Sequence, residues 1–363
     1  MNISQICDGR RALLALTLLA CGLSLTGPGY AAEQTAWGTP RLEGVWDFRT
    51  ITPLERPEEF ADKAVLSKAE ASALTGKTLS RFVDIRVEDN AALDLEGSYN
   101  AFWLDRGTSL DEGLRTSLIV DPPDGRLPAI LPEAKARMLA QNQARMPFVR
   151  DYFSYSVGPD YLHADPESLG LSERCLVGFN AGPPLTPSAY NNNLRIIQTP
   201  DHVVLVTEMI HQARIVPLKQ PGAVPADLEQ WMGRSVGWWE GDTLVVQTSH
   251  FSEKTPAYQL PIVITDPDAS GAIGSGSNMH LTERFTRAGE GRLDYEYTLD
   301  APDAFVRPFT VRFSMRATDD QLFEYACHEG NYAMGGILRG ARLAEKEAIA
   351  AKADHDSRSA PRP

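Results

Sequence analysis

The sequence predicts a mainly β protein: an antiparallel, lipocalin-like up-and-down barrel or curled meander, preceded by an irregular half with short helices. Three observations lead there. From about residue 190 to 330 apolar and polar residues alternate almost without a break, the period of half-buried strands. Short turn sequences such as Glu240-Gly-Asp242 and Ala288-Gly-Glu-Gly291 join the runs, and connections that short join antiparallel strands, because a parallel pair needs a crossover of a dozen or more residues. Residues from about 40 to 190 are instead rich in Pro, Gly and charge, with two helical patterns and little alternation.

In chain order, residues 1–31 read as a secretory signal: Arg10 and Arg11, the apolar run Ala12 to Leu25, then small residues at Ala31-Ala32. A run of about 14 residues is shorter than the ~20 that a membrane-spanning helix needs. Lipoprotein processing at Cys21, after Leu18-Leu19-Ala20, is the alternative. Cleavage near Ala31 removes Asp8, Arg10 and Arg11, so the net charge passes from -13 to -14 and about 332 residues remain. Cys7 and Cys21 leave as well, and in an oxidising compartment the two remaining thiols, Cys175 and Cys327, are expected to pair. No other segment is apolar enough to span a bilayer. The acidic balance without a basic run excludes a nucleic-acid footprint. The expected location is periplasmic or secreted.

Residues 32–190 form the irregular region. Leu42 to Thr50 is an opening strand, Ser67-Lys-Ala-Glu70 a capping box that starts a helix over about 67–75, Leu118 to Val120 a strand, and Pro132 to Ala140 a helix. Strands are then expected over 194–199, 202–218, 234–239, 243–251, 279–287, 292–300, 308–317 and 321–328, filling a barrel over 191–335. In two of them the faces are explicit: Tyr295, Tyr297 and Leu299 point one way and Asp294, Glu296 and Thr298 the other, followed by Val311, Phe313 and Met315 against Arg312, Ser314 and Arg316. A C-terminal helix over 336–350 and a disordered tail over 351–363 complete the chain.

No nucleophile elbow, phosphate loop, dinucleotide fingerprint, zinc-protease motif or paired Cys-x-x-Cys is present, and the histidines show no ligand spacing, so neither metal nor cofactor is implied. Chemistry is sought instead in ionisable residues set inside apolar strands, where an isolated charge costs several kcal/mol. Glu208 and Arg214 share one face of the 202–218 run and His211 takes the other; Glu208 reads as a general base or as the partner of Arg214 or Arg284 in a buried pair. Glu283 lies between Leu281 and Phe285. His328 and Glu329 stand at the end of the last expected strand, with Asn331 just beyond, where a barrel mouth gathers ligand contacts. Tyr190 with Asn191, Asn192 and Asn193 reads either as a ligand-facing amide cluster or as a turn. Trp238 and Trp239, beside Trp231, either plug the barrel or line an apolar site, and His250 is a further candidate contact.

Long motifs then carry a resemblance. Tyr99-Asn-Ala-Phe-Trp-Leu-Asp-Arg106, Ser172-Glu-Arg-Cys175, Pro187-Ser-Ala-Tyr-Asn-Asn-Asn193, Trp231-Met-Gly233, Trp239-Glu-Gly-Asp-Thr-Leu-Val-Val246, Glu283-Arg-Phe285 and Glu324-Tyr-Ala-Cys-His-Glu-Gly-Asn-Tyr-Ala-Met334 resemble a family of secreted bacterial proteins. The resemblance spans about residues 40 to 342 and implies secretion, with no particular activity attached.

The expected function is to hold a small hydrophobic or aromatic molecule. The ionisable residues in strands tilt the reading toward a metal-independent acid/base enzyme, a lyase, isomerase or hydrolase. In it Glu208 or Glu283 is the base, His328 or His211 the acid, and Arg214 or Arg284 stabilises negative charge. A non-catalytic lipocalin-like binding protein, or a structural envelope protein with a filled barrel, are the alternatives.

Overall fold

A computed structural model of the chain describes residues 33–80, 105–140, 166–168, 170–172, 174–178, 180–219, 228–260 and 271–359. The expected signal segment, residues 1–31, lies outside the described residues.

The strands are β1 (Gly44–Asp47), β2 (Ile119–Asp121), β3 (Asn193–Gln198), β4 (His202–Thr207), β5 (Ala213–Pro217), β6 (Arg234–Glu240), β7 (Thr243–Ser249), β8 (Tyr258–Leu260), β9 (Gly271–Ile273), β10 (His280–Gly289), β11 (Arg292–Asp300) and β12 (Phe309–Thr318). Ten of them form one antiparallel sheet in the order β5-β4-β3-β1-β12-β11-β10-β7-β6, with β2 also on β12, and β8 pairs β9 separately. Hairpins form at β3/β4, at the expected Thr199-Pro-Asp201 turn, and at β6/β7 and β10/β11, the two turns named above. Gly241 in the second has φ +58, a left-handed conformation that glycine adopts without penalty.

The order departs from a simple meander because β1, from the irregular half, pairs with both β3 and β12. Val45, Trp46 and Asp47 register against Thr318, Ala317 and Arg316, occupying the edge that a strand after β12 would need. The strand expected over 321–328 therefore does not form. The backbone leaves the sheet and makes a short helix, Cys327–Gly330. The run 202–218 is likewise not one strand. Residues Met209–His211 form a 3-10 turn with Ile210 at φ 57 and His211 at φ 40, and the chain doubles back as β5.

The ends of the sheet, β5 and β6, meet at a single parallel bridge, Leu218 with Gly237, where the Lys219 amide donates to the Gly237 carbonyl at 2.9 Å. A Cβ on Gly237 would stand 2.9 Å from Val216 Cγ1, so this approach depends on glycine. One bridge is not a ladder, and among the described residues the sheet is not closed into a barrel by hydrogen bonding.

The inner face is filled by its own side chains. Trp46, Phe285, Tyr295, Tyr297, Phe309 and Phe313 are all fully buried, with ring centroids 4.9 Å apart for Phe285 and Tyr295 and 5.0 Å for Tyr295 and Phe313. On the outer face Glu296 stands opposite both Arg284 and Arg312 and pairs with Arg312, a cross-strand charge pair.

Helix α1 (Lys68–Ser80) opens on its capping box: the Glu70 amide donates to Ser67 Oγ at 3.3 Å and the Ser67 amide to Glu70 Oε2 at 2.9 Å. Residues 132–140 are helical. The C-terminal helix Tyr332–Ser359 is longer than the 336–350 expected, continuing through sequence where polar composition pointed to disorder.

Candidate functional site

The sheet interior holds a charged cluster. Arg214 on β5 and Glu283 on β10 form an ion pair, the guanidinium Nη2 lying 2.9 Å from Glu283 Oε1 and Nη1 bonding Oε2. Glu283 is fully buried and the Arg214 side chain is 10% exposed. The Tyr295 hydroxyl donates to Glu283 Oε1 at 2.7 Å and accepts from the Leu185 amide at 3.1 Å. Alternation explains both placements: Glu283 shares its inner face with Leu281 and Phe285, and Arg214 stands opposite the buried Leu205. The pair thus links the edge strand β5 to β10, two strands in from the opposite edge β6.

The ionisation of the cluster follows from this packing. Burial opposes the Arg214 cation, but the adjacent carboxylate outweighs it and holds the guanidinium above its ordinary value. Burial, and then the Glu283 charge, raise Tyr295 well above the usual phenol range. Tyr297 is pushed up to about 12, chiefly by burial. The neighbouring Tyr258 and Thr186 hydroxyls act against that rise. The Trp239 indole N–H is buried without a partner among the described residues.

The other proposed acids and bases do not join this cluster. Glu208 pairs with neither Arg214 nor Arg284. It is 4% exposed, and its Oε2 accepts from Asn193 Nδ2 at 2.8 Å while Oε1 accepts from the Phe323 amide at 3.0 Å. His211 is exposed and its Nδ1 donates to the Tyr325 carbonyl at 3.1 Å. Both residues therefore hold the 319–326 segment against the β4/β5 turn. The turn is the reason they miss the interior: beyond Thr207 the strand period no longer governs where side chains point. Arg284 lies on the outer face with Glu240, 2.8 Å away, and Trp238 Nε1 donates to the same carboxylate at 2.9 Å. His328 and Glu329 are exposed on the short helix.

Asn191 and Asn192 lead into β3 and Asn193 opens it. Asn191 has φ 54. The fully buried Asn192 donates to the Asp105 and Ser188 carbonyls at 3.0 and 2.9 Å and accepts from the Ser188 amide and from Asn180 Nδ2 at 2.8 and 3.1 Å. Tyr190 packs on the cluster of Ala181, Met209 and Ile210. His250 Nδ1 bonds Ser249 Oγ at 2.8 Å.

Cys175 and Cys327 are joined in a disulfide with Cα atoms 5.8 Å apart. Beside it opens a cleft of about 460 Å³ lined by residues that include Ser172, Glu324, Tyr325, Cys327, Asn331, Met334 and Ile337. Asn331 is the one proposed ligand contact that lines it. Tyr325 and Met334 were not singled out by sequence reasoning, although both belong to the longest motif, Glu324 to Met334. Tyr295, placed on the inner face but given no role, carried a usable signal: a phenol in a core position requires a partner for its hydroxyl.

Among the described residues no three His, Cys, Asp or Glu side chains are placed to hold a metal ion, and no helix is long and apolar enough to cross a membrane. No protein-family profile matches the chain, and no curated protein matches it.

Proposed function

We propose that this is a secreted or periplasmic protein that binds a small hydrophobic or aromatic molecule in the cleft beside the Cys175–Cys327 disulfide. The curled sheet acts as a lipocalin-like scaffold filled by its own side chains. The observation that carries the reading is the cleft: its volume of about 460 Å³ lies in the range of small-molecule pockets, and Tyr325, Ala333, Met334 and Ile337 give it an apolar wall with few polar groups. Apart from Ile337, its residues come from the two motifs that the disulfide joins, Ser172 to Cys175 and Glu324 to Met334. The signal-like N-terminus and the disulfide support export, since such bonds persist in oxidising compartments.

Binding is favoured over acid/base catalysis by where the candidate groups lie. Glu208 and His211 serve the 319–326 segment, His328 is on the surface, and Glu283 is sealed among aromatic rings with its oxygens already bonded. The filled interior favours a second reading, a structural envelope protein.

Native mass spectrometry of the mature protein, purified from the periplasm, separates the two. A retained small molecule, displaced by N-phenyl-1-naphthylamine and lost in Met334→Asp and Ile337→Asp, is the expected result. A protein that carries nothing, and on which neither substitution changes the fluorescence of that probe, overturns the binding reading in favour of the structural one.

A further inference from the structure

The cleft is uneven in its polar chemistry, and that unevenness names a class of ligand. Two of its side-chain donors are engaged, leaving the Tyr325 hydroxyl: the Ser172 hydroxyl donates to the Val177 carbonyl at 3.0 Å, and Asn331 Nδ2 is directed at Cys175 Sγ at 3.5 Å. Asn331 Oδ1 accepts from the Met334 amide at 3.3 Å, and the Tyr325 carbonyl accepts from the Cys327 amide at 2.9 Å. The remaining strong acceptor is Glu324, the one charged side chain of the lining, which makes no ion pair or hydrogen bond among the described residues. Arg174, next to Cys175 in sequence, is paired with Glu167 at 2.9 Å, and His328 and Glu329 are exposed on the short helix.

Building on the binding reading above, we propose that the cleft takes an organic cation, an amine whose apolar or aromatic body rests against Met334 and Ile337 and whose ammonium group meets Glu324. Tyr325 supplies an aromatic wall of the kind that cations favour. The net charge of -13 draws such a ligand toward the protein. Because Glu324 is exposed, its ion pair contributes selectivity of about fivefold, and the apolar contacts supply most of the affinity.

The test uses the mature protein and three dansyl amides of equal chain length that end in a primary ammonium, a methyl group or a carboxylate, titrated by fluorescence at low and high salt. The expected order of affinity is ammonium, methyl, carboxylate, with steps of about fivefold that shrink in high salt. In Glu324→Gln the ammonium probe falls to the affinity of the methyl probe, which itself is unchanged. If the methyl probe binds and is lost in Met334→Asp, but the ammonium probe binds no better, the cation proposal fails and the binding reading stands. If Glu324→Gln weakens the methyl and ammonium probes alike, Glu324 is structural and the proposal fails. If none of the three binds, the binding reading itself fails.

Discussion

Replacing Glu283 with Gln tests the interior cluster directly. The substitution keeps the shape of the side chain and an oxygen for Tyr295, but it removes the negative charge and turns an amide N–H₂ toward the Arg214 guanidinium, donor against donor. Arg214 is then a cation in a site where its side chain is 10% exposed and Glu283 was fully buried. Breaking a buried pair from one side costs about 3 to 5 kcal/mol, mostly for the stranded charge. At this chain length roughly 2 °C accompanies each kcal/mol, so the melting temperature falls on the order of 6 to 10 °C. Urea unfolding followed by tryptophan fluorescence measures the loss. The double variant Arg214→Met with Glu283→Gln removes the stranded cation and recovers about 2 kcal/mol relative to Glu283→Gln alone, a coupling in the range seen for contacting residues. A loss below about 1 kcal/mol in Glu283→Gln, or no recovery in the double variant, would refute the argument that the pair is desolvated.

Alkaline pH destabilises the fold. Tyr297 is raised to about 12, and Tyr295 and Tyr258 lie well above their ordinary value of 10.0, so between pH 10 and 12 the unfolded chain loses phenolic protons that the folded chain keeps. The stability these groups contribute is complete below pH 10 and is lost as pH rises through that window, by about 2.7 kcal/mol for Tyr297 alone at 1.36 kcal/mol per unit. Urea midpoints measured across the window, in the wild type and in Tyr297→Phe, check this: the variant should lose less stability between pH 10 and 12. Glu208→Ala should release the 319–326 segment, raising hydrogen exchange at the Phe323 amide with a stability loss of about 1 to 3 kcal/mol; unchanged exchange there would show that Glu208 does not hold the segment. Reducing Cys175–Cys327 opens a loop with a sequence separation of 152 residues and should cost about 5 kcal/mol in the chain-entropy model, read as a fall in the urea midpoint with dithiothreitol.

Local pattern carried a large part of the fold. Strands β10, β11 and β12 and their faces were legible because alternation at period two is a direct record of burial, and the turns at 199–201, 240–242 and 288–291 carried residues that favour reversal. The β4/β5 turn was not legible. Glu208 to Gln212 contains no Gly, Pro or Asn, and the left-handed Ile210 and His211 are paid for by tertiary contacts, including burial of Met209 and Ile210 against Ala181. The candidate site suffered from the same blind spot. Glu208, His211 and Arg214 looked like neighbours on one strand, whereas the turn sends Arg214 inward to Glu283 and leaves the other two to hold a segment more than a hundred residues away in sequence.

The sequence by itself determined that the chain is mainly β, which residues of its long strands are buried, that Cys175 and Cys327 pair, and that Asn191 to Asn193 suit a turn. These follow from nearest-neighbour geometry and from the cost of exposing apolar or burying polar groups. The tertiary structure alone decided that β1 takes the edge beyond β12, that the last expected strand becomes a helix beside the disulfide, and that Arg214 finds Glu283 and Tyr295. Each is a competition between distant segments for one edge or one buried charge, and its winner depends on which partners the folded sheet brings within reach.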